Sequence, residues 1–198
     1  MSLLHDKEIA KLAELDIFLP FVGEKRRSLD SGAKAISYGL SQAGYDIRLS
    51  PDSFLIFDGK EFKGSSKPTL DPKLMPYAGY EACLNHGPEG EWFILPPHSF
   101  GLGVSLELIS MPPSIIGLCD GKSTYARCGI IINVTPIEPG WAGHLTMHIA
   151  NPTAFPVRIY ANEGIVQVML YQLNGDVGQS YAGQYQNQGN VVTLSKVG

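Results

Sequence analysis

The chain has 198 residues, enough for one domain with a sizeable core, and its 44% hydrophobic content is ordinary for a globular protein. A net charge of −4 excludes a global basic field for nucleic acid, and no apolar run approaches the roughly 20 residues of a membrane span. Three scattered cysteines (Cys83, Cys119, Cys128) exclude a disulfide framework, and the start MSLLHDKEIAKL has charges where a secretion signal needs an apolar centre, so the expected class is a soluble cytoplasmic protein.

In chain order, Asp6 to Leu15 reads as a helix, with Ile9, Leu12 and Leu15 at helical spacing, Asp6 as N-cap and Leu19-Pro20 as its stop. Gly23 to Lys34 is charged and irregular, a loop. Ala35 to Leu40 follows, then Gly44 to Leu49, where Tyr45, Ile47 and Leu49 alternate with Asp46 and Arg48 as in a half-buried strand. A turn at Pro51 precedes a strand Phe54 to Phe57. Asp58 to Gly90, rich in Gly, Pro, Ser and Lys, reads as a surface excursion with a Pro-rich crossing from Pro68 to Pro76.

Further strands are expected at Trp92–Leu95, Phe100–Leu108, Ile115–Leu118, Ile130–Val134, His144–Ile149 and Pro156–Tyr160. After a turn at Asn162–Gly164, the last is Ile165–Tyr171, with Val166, Val168 and Leu170 on one face. From Gly175 to Gly189 the chain is Gly, Gln, Tyr and Asn, with little to bury; such a tail is disordered or folds over something. Ten or more short strands, with 22 Gly and 14 Pro at their turns, make the fold class mainly β: a barrel or jelly-roll-like sandwich. A single domain is expected over 1–198, with a helical segment at 1–20 and a tail at 175–198.

Four features bear on chemistry. Gly121-Lys122-Ser123-Thr124 is like the end of a P-loop, but Ile116 stands where the first Gly belongs and a β-branched run follows instead of a helix. Its Lys, two hydroxyls and Arg127 suit an anion; they equally suit a solvated turn. His144 and His148 share a face of an alternating strand with Thr146, roughly 13 Å apart, too far for one zinc ion. His148 suits acid–base work near neutral pH, or is simply a polar residue on an exposed face. Glu138, in the Pro136–Trp141 corner, accepts a sugar hydroxyl, orients a water or caps the turn. Cys119 and Cys128, without a nearby activating base, read as small buried fillers.

GKSTYARCGIIINVTPIEPGWAG (residues 121–143) resembles the core signature of the dCTP deaminases, in the trimeric dUTPase-like superfamily. Ile36–Leu40 with Gly44–Leu49 is similar to that family's first strand pair, Ile159–Gln167 to its penultimate pair, and Tyr185–Gly189 with Thr193–Ser195 to its closing segment. The resemblance implies a distorted β-barrel or jelly-roll subunit with a short N-terminal helix. It implies a homotrimer with active sites between subunits, and a deoxynucleoside triphosphate substrate held with Mg²⁺; no zinc, nucleic acid or membrane is involved. Lys122, Ser123, Thr124, Tyr125, Ala126 and Arg127 match the segment that holds phosphates and supports the reacting base. Ser123 and Arg127 are its most chemical members. Thr146, Met147 and His148 match the strand that reads the pyrimidine. Gln167, Tyr181 and Gln188 match further nucleotide contacts, the last two from the tail that closes over the triphosphate; Glu138 falls at an acidic position of the family.

One departure stands out. The family pattern on the reactive strand is TLEFSN, and its Glu shuttles protons while water replaces the amino group at C4 of cytosine. This chain has Thr146-Met147-His148-Ile149-Ala150-Asn151, so the shuttle position is His148. An imidazole takes a proton from water but supplies no negative charge. Asn187 also stands where Gly is usual and Gln184 where Lys is, in a shorter tail. Three readings follow: a deaminase of dCTP or of a modified deoxycytidine nucleotide with His148 as shuttle; a dUTPase-like diphosphohydrolase; or a nucleotide-binding protein without catalysis. A structural, capsid-like jelly roll leaves Lys122–Arg127 and the tail unexplained.

Overall fold

The computed structural model of the protein describes residues 1–60, 69–73, 75 and 78–196. Its elements are β1 (Ser2–Leu3), α1 (Asp6–Leu12) followed by a 3-10 turn (Ala13–Leu15), β2 (Phe18–Leu19), β3 (Arg26–Ser28), β4 (Lys34–Ser41), β5 (Gly44–Phe57), β6 (Tyr80–Glu81), β7 (Asn85–Gly87), β8 (Gly90–Leu95), β9 (Ser99–Ser110), β10 (Ile115–Gly121), α2 (Ser123–Ala126), β11 (Ile131–Asn133), β12 (Ala142–Asn151), β13 (Val157–Ala161) and β14 (Gly164–Gln172). Pro68 and Pro76, the ends of the expected Pro-rich crossing, lie outside the described residues.

One curled antiparallel sheet carries the molecule, with the path β1-β14-β5-β9-β12-β11; β10 joins β14, β4 joins β5, and β3 joins β4. A smaller sheet, β13-β8-β7, packs beside it. The long strands β5 and β9 bend around a shared core, giving a curled half-barrel where the resemblance implies a distorted β-barrel or jelly roll. That core is one cluster containing Phe18, Tyr45, Phe54, Phe93, Ile109, Met147 and Leu170. Aromatic rings stack across it: Phe18 on Tyr45 at 4.3 Å and Phe54 on Phe93 at 4.8 Å between centroids.

Several expectations change in detail. The helix is capped by His5, not Asp6. The His5 ring accepts from Lys7 N–H at 3.2 Å, and Glu8 reaches back to His5 N–H at 3.0 Å, a reciprocal capping box. Within the expected loop Gly23–Lys34, Arg26–Ser28 pair with β4. The two strands expected around Pro51 are one strand, β5, whose register against β9 shifts between Leu49 and Phe54, so Pro51 falls in the irregular stretch. Phe54 packs where Gly101 lies on β9; a Cβ there would come 2.4 Å from the ring.

Asp46 and Arg48 do not point to water. Asp46 is fully buried, and Arg48 Nε donates to the fully buried Glu107 at 2.7 Å, because both faces of β5 are covered. Cys128 is exposed rather than a buried filler, since Tyr125 takes the inward position of its turn; Cys119 is half-buried, its thiol pushed up to about 12 by burial.

Candidate active site

β12 alternates as its sequence requires: Leu145, Met147 and Ile149 are buried, while His144, Thr146 and His148 share the opposite, half-buried face. A bulge between His144 and Thr146 interrupts pairing with β9. The corner before β12 is pinned through Ile137, which exchanges two backbone hydrogen bonds with Gly117 at 2.8 and 3.0 Å. That anchor leaves Glu138 exposed at the rim, where its carboxylate has no hydrogen bond or ion pair among the described residues.

The tail does not wander off. Tyr181 N–H donates to Pro139 O (3.0 Å), Trp141 Nε1 donates to Tyr185 O (2.9 Å), Asn187 N–H donates to Ala142 O (2.8 Å), and His144 N–H donates to Gln188 O (2.9 Å). Gln188 Nε2 also donates to His144 O (2.9 Å) and to Thr146 Oγ1. Corner, strand and tail enclose a cleft of about 470 Å³ lined by Leu102, Glu138, Trp141, Thr146, Tyr181, Tyr185 and Gln188, among others. It combines aromatic walls with a carboxylate, a hydroxyl and an amide, a setting for a polar planar ring and its sugar.

His148 adjoins this cleft on the same sheet face. Its cross-strand neighbours are Leu102, which lines the cleft, and Asn133 on β11. Its ring lies 5.2 Å from Phe100, tilted by 43°, and Phe100 in turn stacks on Phe57 at 4.5 Å. Nδ1 is buried without a hydrogen-bond partner among the described residues, and burial pulls the imidazole below its ordinary 6.5, so the ring is neutral at pH 7.

The Gly121–Arg127 segment lies elsewhere. It is not the turn without a helix expected from the β-branched run after it: residues Ser123–Ala126 make a single helical turn, α2. Ser123, Thr124, Ala126 and Arg127 are exposed, and Arg127 Nη1 donates to Ser123 O at 3.0 Å. None of residues 122–127 lines the cleft of its own chain. Lys122 Nζ turns inward to Asp46 Oδ2 (2.6 Å) and Ser37 Oγ (3.0 Å). Gln167 sits beside that pair: it faces Asp46 across β5 and β14, and its Nε2 donates to Ser41 Oγ at 3.1 Å.

Two residues in the matching segments are core residues whose side chains face away from any site. Tyr125 is 3% exposed, and its hydroxyl accepts from Tyr160 N–H at 2.8 Å; Met147 is fully buried on the far face of β12. The sequence reading passed over Asp46, Ser37, Phe100, Trp141 and Tyr185. Of these, Trp141 and Tyr185 stand within the matching segments, and Asp46 is the acid of the alternating run Gly44–Leu49.

Comparison with known proteins gives one family. A family model described as dCTP deaminase-like matches residues 21–173. A protein of Paraburkholderia phymatum named dCTP deaminase is 41% identical over 200 residues, covering 99% of this chain and all of the relative. A dCTP deaminase of Chlamydia pneumoniae is 42% identical over 193 residues, covering 95% of this chain and 96% of the relative. The crystal structure of 2'-deoxycytidine 5'-triphosphate deaminase from Agrobacterium tumefaciens superposes with a TM-score of 0.53 over 85% of this chain at 16% identity, a likeness of fold. The chain spans about half of that protein, 47% of its length. Among the described residues no three His, Cys, Asp or Glu side chains gather as a metal site, and no helix is long and apolar enough to cross a membrane. With a family model matching residues 21–173 and relatives above 40% identity over 95% or more of the chain, the chain belongs to the dCTP deaminase family.

Proposed function

We propose that this protein catalyses the hydrolytic deamination of dCTP to dUTP and ammonia, in the cytoplasm, with His148 moving the proton. The observation that carries this reading is the position of His148, neutral and half-buried, on the face of β12 that continues the Thr146–Gln188 cleft. Water adds to C4 of the cytosine, and neutral His148 accepts its proton as the C–O bond forms. The imidazolium passes that proton to N3, giving a tetrahedral C4. His148 then carries the remaining hydroxyl proton to the amino nitrogen, the C–N bond breaks, and ammonia leaves C4 as a carbonyl beside the protonated N3. Thr146 and the backbone of β12 border the base, and Glu138 accepts a sugar hydroxyl at the rim.

Ser123, Thr124 and Arg127 are exposed with the residue types that hold phosphates, and Mg²⁺ enters on the triphosphate. They lie outside the cleft of their own chain, which supports a homotrimer whose sites join the cleft of one subunit to the turn of its neighbour. The segment 175–198, with Tyr181 and Gln188, is the strap over that site. A second reading, a dUTPase-like diphosphohydrolase, is favoured by the unpartnered carboxylate of Glu138, which suits activation of water at phosphorus.

The test incubates the protein with dCTP or dUTP and Mg²⁺ beside His148→Ala and His148→Glu variants. Nucleotides are followed by ion-exchange chromatography and ammonia by a coupled assay. The expected result is dUTP and ammonia from dCTP, slowed about 10²–10⁴-fold in His148→Ala. Pyrophosphate released from dUTP without ammonia from dCTP would install the second reading. Binding of nucleotide without either product would make the protein a nucleotide-binding relative of the enzymes.

A further inference from the structure

Lys122 opens the polar run whose hydroxyls and Arg127 are exposed, yet its own ammonium is spent elsewhere. Nζ donates to Asp46 Oδ2 at 2.6 Å and to Ser37 Oγ at 3.0 Å, and its side chain is only 12% exposed. Asp46 is fully buried; among the described residues its Oδ1 has no hydrogen-bond partner, and the other cation near it, Lys25, stands 3.8 Å from Oδ2. Swinging Lys122 out to a phosphate would leave a buried carboxylate with one distant counter-ion, a far larger cost than an exposed phosphate contact returns.

The backbone of Lys122 is tied down as firmly as its side chain. Its N–H donates to Ile165 O at 3.1 Å. Its carbonyl accepts from Tyr125 N–H at 3.0 Å and Ala126 N–H at 3.2 Å, which makes it the start of α2. No side chain caps α2, and a four-residue turn has little stability of its own. The direction in which Ser123 and Arg127 project is therefore set by the residue before them, and that residue is fixed from beneath by Asp46.

We infer that Asp46 is a positioning residue that acts through Lys122, orienting the Ser123–Arg127 turn, and that Lys122 is not itself a phosphate ligand. This deepens the proposed function, since it rests on that turn meeting the nucleotide, but its first test needs no nucleotide. Amide hydrogen exchange is measured in wild type, Asp46→Asn, Lys122→Met and the double variant. Losing one charge-assisted hydrogen bond should speed exchange at Tyr125, Ala126 and Arg127 by about tenfold or more in either single variant. The amides of Val168 and Leu170 in the sheet should keep their protection. The double variant should be no worse than the singles, because the two residues act as one unit. Unchanged exchange in α2, or equal loss throughout the sheet, would overturn the positioning role; if Asp46→Asn does not fold, Lys122→Met decides alone.

The second readout is the Lys122 ammonium signal in ¹⁵N-resolved NMR, assigned by its loss in Lys122→Met, during titration with tripolyphosphate and with dCTP. The expected result is a fixed Lys122 signal while Arg127 Nε moves. A Lys122 signal that moves with the ligand would make Lys122 a phosphate ligand and refute the second half of the inference. Binding of neither ligand would count against the nucleotide reading, and the exchange data would still decide the role of Asp46.

Discussion

Gly143→Ala separates the barrel from the tail that covers its cleft. Gly143 has φ 146°, in the region that favours glycine, and pairs in parallel with Gln188. A Cβ there would lie 2.7 Å from Gln188 N and 3.0 Å from Gln188 O, both backbone atoms that cannot rotate away. Tyr185–Gln188 is held by the bonds of Trp141, Asn187, His144 and Gln188 given above, and by Gln186, whose amide accepts from Ala142 N–H and donates to Gly140 O, both at 3.0 Å. At about 1 kcal/mol net each, these bonds only slightly exceed the ~1–2 kcal/mol per residue lost in ordering four residues.

The docked tail therefore has a margin of at most about 3 kcal/mol. A strained backbone of ~1–3 kcal/mol together with the steric displacement removes most of it. A shift of ~2 kcal/mol is about a 30-fold change in the docked population. Hydrogen exchange at the Asn187 and His144 amides should accelerate by that order, the tail should become sensitive to protease, and KM for the nucleotide should rise. The thermal midpoint should fall by only a few degrees, as about 1–2 kcal/mol implies for a chain of this size. Unchanged protection at Asn187 and His144 would refute the reasoning, because the tail would then not depend on the register seen at Gly143.

Three further outcomes follow from the same geometry. Tyr125→Phe leaves Tyr160 N–H without its acceptor inside the core; urea melts should show ~1–3 kcal/mol lost, while KM stays at the wild-type value, since Tyr125 faces no ligand. Arg48→Met strands the buried Glu107 carboxyl and should cost ~3–5 kcal/mol near neutral pH. Burial already raises Glu107, and Arg48 is the main group holding it down. A raised carboxyl contributes stability below its unfolded value of 4.5 that is lost as pH rises through its folded value, so the deficit of Arg48→Met should shrink in melts at acid pH. An equal deficit at both pH values would contradict this.

His148, lowered by burial, contributes stability above 6.5 that is lost as pH falls through its folded value. Its NMR titration midpoint should lie below 6.5, with deamination level through pH 7 and declining on the acid side. A midpoint above 6.5 would mean that a hidden anion faces the ring.

What could be read from residues alone was local. Period-two alternation located most of β5, β9, β12 and β14, because a strand half-covered by a core must alternate. The same alternation placed His144, Thr146 and His148 on one face of β12. The signature at 121–143 pointed to the family, which the family model and the relatives show. Strand alternation misled at Asp46 and Arg48, because it says which side a residue faces and not whether that side is covered; Asp46 is sealed in by Lys122 and Gln167, distant in sequence.

The tertiary structure decided how the candidate residues divide. The tail meets Glu138 and Thr146 over one cleft through backbone hydrogen bonds, which sequence pattern does not encode. Lys122 looked like a ligand by its type and its neighbours, yet its charge is neutralised by a carboxylate 76 residues away in the chain. Residue type is a property of sequence, but the state of a charge depends on what surrounds it, and those surroundings exist only once the sheet has closed.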